Sequence, residues 1–208
     1  MNYQKYYKDN MGLHELQLRQ LKTIIEENDV KTIVEFGSGA STQFFIDLYE
    51  EEGLDYKIYS FDHNPQYAYP NEHPALSLTM APLIKCSPEH FDEMFTKDEY
   101  DDSAFEVCEE ADIRDFRVKN AFYDLYPNEL PDNIDLVLLD GPNGNGRSIS
   151  FLHLKDKLAD LSYILIDDAN HHDYVERCQQ TLNAKIVESV EDPNIHRLFS
   201  YCILKVEK

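Results

Sequence analysis

The sequence is short of positive charge. Lys and Arg number 19 against 40 Asp and Glu, a formal net charge of −21 at pH 7 over 208 residues. A field of that sign repels phosphate backbones and anionic lipid headgroups, so neither nucleic acid nor a membrane surface is expected as a direct partner. Long apolar runs are missing too. No stretch approaches the 18 or so uncharged residues of a membrane span, and the opening MNYQKYYKDNMGLHELQ has no apolar signal core. The reading is a cytoplasmic protein without an export signal. Cysteine is scarce and unpatterned, with Cys86, Cys108, Cys178 and Cys202 forming no CxxC pair. A zinc knuckle or a disulfide framework is therefore not expected, and the thiols are read as reduced and structural. Internal repeats and low-complexity linkers are absent as well.

What is present is an alternation of strand-like and helix-like segments. Leu13 to Glu27 carries an apolar stripe at helical spacing. Short apolar runs follow at Thr32–Phe36, Lys57–Phe61, Leu76–Leu83, Ile134–Leu139 and Tyr163–Ile166, each suited to a strand buried on both faces. Helical patterns over Thr42–Glu52, Ser148–Asp160 and Asp173–Leu182 lie among them, as right-handed crossovers of a parallel sheet require. The last two runs, Ala184–Ser189 and Phe199–Val206, are joined by VEDPNIHRL, too short for a crossover, so they are expected to pair antiparallel. The chain length suits a single domain spanning 1–208, a doubly wound α/β fold with a seven-stranded, mostly parallel sheet and a C-terminal antiparallel hairpin. One segment breaks the rhythm. Glu89 to Asp115 holds twelve acidic residues and two basic ones, marking an acidic insertion at about 86–115. It reads either as a solvated surface insertion or as a lid over a cleft.

The chemistry is expected where strands end. VEFGSGAST places Gly37 and Gly39 in a strand-to-helix turn, where the lack of a side chain lets backbone approach a nucleotide-like ligand. The full GxGxxG fingerprint is not met, because Thr42 stands at the third glycine. Asp62 ends the next strand in SFDHNP, where an acid can bind a ribose diol or cap the following turn. Glu35, a carboxylate inside a buried strand, calls for a ligand cation or a nearby donor. Asp140 ends the fourth strand in LLDGPNGNGR, and Asp167 and Asp168 end the fifth in LIDDANHHD. These ends should meet across the cleft, with Asn170, His171 and His172 beside them. Arg147 is open between clamping an acidic substrate and balancing the acids. The tyrosines at 3, 6, 7, 123 and 126 and Phe122 are open between acceptor pocket and packing.

In this order, VEFGSGAST, SFDHNP, LTMAPL, IDLVLLDGPNG and YILIDDAN resemble class I S-adenosylmethionine-dependent methyltransferases, in the branch related to catechol O-methyltransferase. The resemblance implies methyl transfer from S-adenosylmethionine to a small-molecule acceptor, with O-methylation preferred and a homodimer allowed. It assigns cofactor binding to Glu35, Gly37, Gly39, Asp62 and the stretch from Ala81 to Leu83; with the reading of the turn and strand ends, Ser38, Ser41, His63 and Asp140 join the expected cofactor residues, and Asp140, Asp168 and His171, a candidate general base, are the expected catalytic ones. Relatives in that branch place Mg²⁺ on an acid after strand four and an Asp-Asn pair after strand five. Here the corresponding pair is Asp168-Ala169, and no lysine follows Asp140 where the branch has its base, so the metal ligands are left unassigned. A nicotinamide-dependent oxidoreductase and a non-catalytic scaffold using the acidic insertion stay open as alternatives.

Overall fold

The computed structural model describes residues 2–7, 12–109, 118–126, 129–195 and 199–208. The main sheet contains seven strands: β1 (Thr32–Phe36), β2 (Lys57–Asp62), β3 (Leu76–Met80), β7 (Ile134–Leu139), β8 (Leu158–Asp167), β9 (Lys185–Glu191) and β10 (Ser200–Glu207). Their spatial order is β3-β2-β1-β7-β8-β10-β9. The first five run parallel, and β10 lies antiparallel between β8 and β9. The strand order reverses between β1 and β7, which is where a doubly wound sheet opens a crevice at its carboxyl edge.

Side-chain alternation divides the core into two layers. Ile33, Ile58, Leu136, Leu138 and Leu165 face α1 (Glu15–Glu27) and α2 (Ala40–Glu52), meeting Leu18, Leu21, Phe44 and Phe45. Val34, Phe36, Val137, Leu139, Ile164 and Ile166 face the other way, onto α3 (Pro88–Lys97), α4 (Ile149–Leu154) and α5 (Tyr174–Leu182). Strands buried on both faces read as continuous apolar runs, which is why these were legible.

Two expectations are corrected. The run Leu76–Leu83 is two strands: β3 stays in the main sheet, and after Ala81-Pro82 the chain turns into β4 (Leu83–Lys85) of a second sheet. That sheet has the order β5-β4-β6, with β5 (Glu106–Val107) and β6 (Ala121–Tyr123) both antiparallel to β4. The helical pattern over Ser148–Asp160 shortens to a 3₁₀ turn (Asn145–Ser148) and α4, and β8 begins at Leu158. The acidic insertion is structured through Glu109: α3 caps on Ser87, with Pro88 in its first turn, and buries Phe91 and Met94, while β5 pairs with β4. The part of the insertion at 110–115 lies outside the described residues. All four cysteines are buried.

Candidate active site

The turn after β1 is held by its own side chains. Gly37 has φ +96° and Gly39 φ +140°, values that a β-carbon disfavours. A β-carbon on Gly37 would come within 2.9 Å of the Gly141 nitrogen, and one on Gly39 within 3.0 Å of the Tyr67 carbonyl. Each amide donor of the turn already has an acceptor. Gly37 N–H donates to Phe61 O at 2.9 Å, Ser38 N–H to Asp62 Oδ2 at 2.8 Å, and Gly39 N–H to Thr42 Oγ1 at 3.0 Å. Thr42, in the place of a third glycine, also donates its hydroxyl proton to Glu35 Oε2 at 2.5 Å, and Ser60 donates to the same oxygen at 2.7 Å.

Glu35 is fully buried, and its Oε1 has no hydrogen-bond partner among the described residues. Burial pushes its carboxyl up to about 7, against the opposing pull of the Ser41, Thr42 and Ser60 hydroxyls. Ser41 is itself buried beside the strand. Glu35 thus sits beneath the turn and holds its shape through Thr42.

Asp62 closes β2, buried, with Oδ2 on the Ser38 amide and Oδ1 accepting from Asn64 N–H at 2.8 Å. A carboxylate has about four lone-pair sites, so both oxygens can accept further bonds. His63 Nδ1 lies 3.6 Å from Asp62 Oδ1 and has no hydrogen-bond partner among the described residues; burial lowers the imidazole pKa. Ala81 is buried one strand over, its N–H on Asp62 O at 2.8 Å.

Sequence reasoning left Tyr123 open between pocket and packing. Its ring stacks on Phe36 at 6.1 Å between centroids and lies 6.1 Å from His63, and its hydroxyl is 2.6 Å from where a β-carbon of Gly141 would stand. Burial first, then the charges of Asp62, Asp140 and Glu35, hold its phenol protonated. Tyr123 comes from β6, so nothing local in the sequence marks it as a neighbour of the glycine turn.

The second acidic group lies across the switch point. Asp140 follows β7 with its N–H on Phe36 O at 3.0 Å, and Asp167 ends β8 with Gln17 Nε2 donating to its Oδ1 at 2.6 Å. Both carboxyls are raised, by burial first; Asp140 raises Asp167, a hydrogen bond with Asp167 pulls Asp140 the other way, and Asp168 raises both. The balancing charge is Arg147, which is 2% exposed. Its Nε donates to Pro142 O and its Nη1 to the Asp167 backbone O, each at 2.9 Å, and its guanidinium lies 5.3 Å from the Tyr174 ring. Of the two roles left open for Arg147, the geometry favours compensation.

Asp168 adopts φ +52°, and its Oδ2 lies 3.6 Å from Nδ1 of the exposed His171. Asn170 turns away to Ser200 and Glu191. Among the described residues no three His, Cys, Asp or Glu side chains gather as a metal ion would require. Mg²⁺, however, can be held by one or two carboxylates with water in its other positions, so the site residues leave its ligands unassigned.

They do fit a cationic nucleoside. The turn offers glycine backbone with its amides already satisfied, an acid with spare acceptor capacity stands at the end of β2, and unpartnered polar atoms lie at Glu35 and His63. With a parallel sheet reversing between β1 and β7 and closing through an antiparallel β10, this arrangement defines a class I S-adenosylmethionine-dependent methyltransferase.

A family model described as a methyltransferase domain matches residues 34–169, and the chain belongs to that family. Among solved structures, a methyltransferase from Geobacter sulfurreducens aligns at 10% identity with TM-score 0.54, covering 94% of this chain and 80% of that one. The O-methyltransferase TomG from Streptomyces achromogenes, in complex with SAM, aligns at 8% identity with TM-score 0.53, covering 99% and 86%. The Mg-SAM structure of CmcI-D160 aligns at 12% identity with TM-score 0.50, covering 98% and 78%. These likenesses concern the fold. No curated protein sequence matches the chain. Among the described residues no helix is long and apolar enough to cross a membrane.

Proposed function

We propose that the chain methylates a hydroxyl oxygen of a small-molecule acceptor. The observation that carries the reading is that all three amides of the glycine turn are spent on Phe61, Asp62 and Thr42. A dinucleotide needs such amides for its pyrophosphate, whereas a sulfonium nucleoside needs acids and a ribose partner. TomG, a fold neighbour, is an O-methyltransferase in complex with SAM, and that supports the choice of oxygen as acceptor.

S-adenosylmethionine, when bound, supplies a methyl group on a positive sulfur. Asp62 takes the ribose hydroxyls, with His63 beside it, and Ala81 borders the base. Gly37, Ser38 and Gly39 bring backbone against the methionine part, while Glu35 and Ser41 shape that backbone from below. On the acceptor side, the acceptor oxygen forms its bond to carbon as the carbon–sulfur bond breaks with its electron pair left on sulfur. The hydroxyl proton passes to His171, whose Nδ1 lies 3.6 Å from Asp168. Burial raises the carboxyls of Asp140 and Asp167, which disfavours full negative charge on both where Asp140 faces the acceptor hydroxyl. Alignment of oxygen, carbon and sulfur supplies much of the acceleration.

Isothermal titration of the full chain with S-adenosylmethionine, S-adenosylhomocysteine and NAD in parallel tests this reading. Saturable binding of both adenosyl ligands and none of NAD is expected. Binding of NAD in their place would return the oxidoreductase.

A further inference from the structure

A cavity of about 550 Å³ opens beside His171, between α3, the 3₁₀ turn and the start of α5. Its lining runs against the composition of the chain. Lys119, Arg177, His171 and His172 face it, with Asp173 the one acid among the lining residues, in a protein that has 40 acidic side chains to 19 basic ones. Asn145 and Ser148 add neutral hydrogen-bonding groups, and Phe91 an apolar wall.

The cations are set for a ligand rather than consumed by neighbours. Lys119 makes no ion pair among the described residues. Arg177 spans the rings of Phe91 and Phe95 at 4.8 and 4.3 Å and touches Asp92 at 3.3 Å through one nitrogen, which fixes its guanidinium while leaving other N–H donors for a second acceptor. The two walls are tied together by Tyr174, whose hydroxyl donates to Gly144 O at 2.8 Å. His172 feels the local sign: burial, and after it His171, Arg147 and Lys119, lower its pKa.

We propose that this cavity holds the oxyanion end, a carboxylate or a phosphate, of the small-molecule acceptor. The naming of the ligand as acceptor rests on the methyltransferase reading; the anion site does not. Through His171 the cavity adjoins Asp168, 3.6 Å away, so an acceptor anchored here by its anion would present its remaining atoms toward the strand-end acids. Arg177, held over two rings, and Lys119, unpaired among the described residues, with Asn145 and Ser148, provide the charge-assisted donors such an anchor needs.

The test uses the full chain without cofactor, titrated with inorganic phosphate and separately with benzoate, in the wild type and in the Lys119→Gln/His172→Gln double variant. Both positions are exposed, so the variant is expected to fold. Saturable binding of one probe or both is expected, weakened roughly tenfold or more in the variant, on the scale of a lost charge-assisted contact. Phosphate alone would mean a phosphorylated acceptor, benzoate alone a carboxylic acid. Binding of neither probe, or binding untouched by the double substitution, overturns the proposal. S-adenosylhomocysteine is titrated into the same samples. Its failure to bind would sink the methyltransferase reading and leave the anion result to stand on its own.

Discussion

Thr42 stands where a dinucleotide turn carries a glycine, and its hydroxyl joins Gly39 N–H to Glu35. Burial nonetheless places Glu35 in a site that disfavours its charge, with a pKa raised to about 7 in the folded chain against 4.5 for an ordinary glutamate. The sign follows from proton binding. Between those two values the folded state holds the proton that the unfolded state has lost, so stability contributed at low pH falls as pH rises from 4.5 toward 7. A shift of that size corresponds to about 3 kcal/mol. Glu35→Gln should remove this slope, and urea unfolding of the two proteins at pH 4.5, 6 and 7.5 should show curves that diverge upward for the variant; parallel curves would mean that the carboxyl ionises without penalty. Asp62 carries a second residue-scale expectation. Asp62→Ala should weaken S-adenosylmethionine about tenfold or more, the scale of one or two charge-assisted hydrogen bonds, and unchanged affinity by calorimetry would remove Asp62 from the ribose role. Asp62 could be picked out in the sequence because it ends a strand next to a glycine turn. Gln17, which reaches Asp167 across 150 positions, and Tyr123 could not, since tertiary contacts alone bring them in.

At the scale of elements, the loop after β7 and the small sheet lock together through Gly146. A β-carbon there would lie 2.0 Å from the Ala121 carbonyl oxygen and 2.3 Å from its nitrogen, backbone atoms that cannot swing away. Asn145 adds two hydrogen bonds to Asn120 at the same junction. Gly146→Ala should therefore cost about 1–3 kcal/mol or more by overpacking, lowering the melting temperature and displacing Tyr123 with β6, so cofactor affinity should fall together with stability. Affinity kept at wild-type level in a destabilised variant would detach Tyr123 from the cleft. The same junction explains where the sequence was hard to read. β1, β2 and β7 are apolar runs bounded by turns, and their limits were visible almost to the residue. The split at Ala81-Pro82 was not, because LSLTMAPL is one unbroken apolar run and only the pairing of β4 with β5 and β6 divides it. Likewise α4 was read too long: Leu158 fits a helical stripe, and its membership of β8 is set by pairing with Ile134.

Over the whole molecule, a net charge of −21 adds its field to that of Asp62, Asp140, Asp167 and Asp168 at the cleft. S-adenosylmethionine carries one more positive charge than S-adenosylhomocysteine, and this charge is what the reaction removes. The acidic edge should therefore favour the cationic donor over the thioether product, and part of that preference should be long-range. Screening shortens from about 30 Å at 0.01 M salt to about 3 Å at 1 M, which removes the contribution of distant acids and spares contacts inside the cleft. Calorimetric dissociation constants measured across that salt range should rise for S-adenosylmethionine and stay nearly level for S-adenosylhomocysteine, narrowing the gap between donor and product. Equal salt dependence for both ligands would mean that the acids at the strand ends are neutralised in place, by protonation and by the buried Arg147, and that product release does not draw on the charge of the protein.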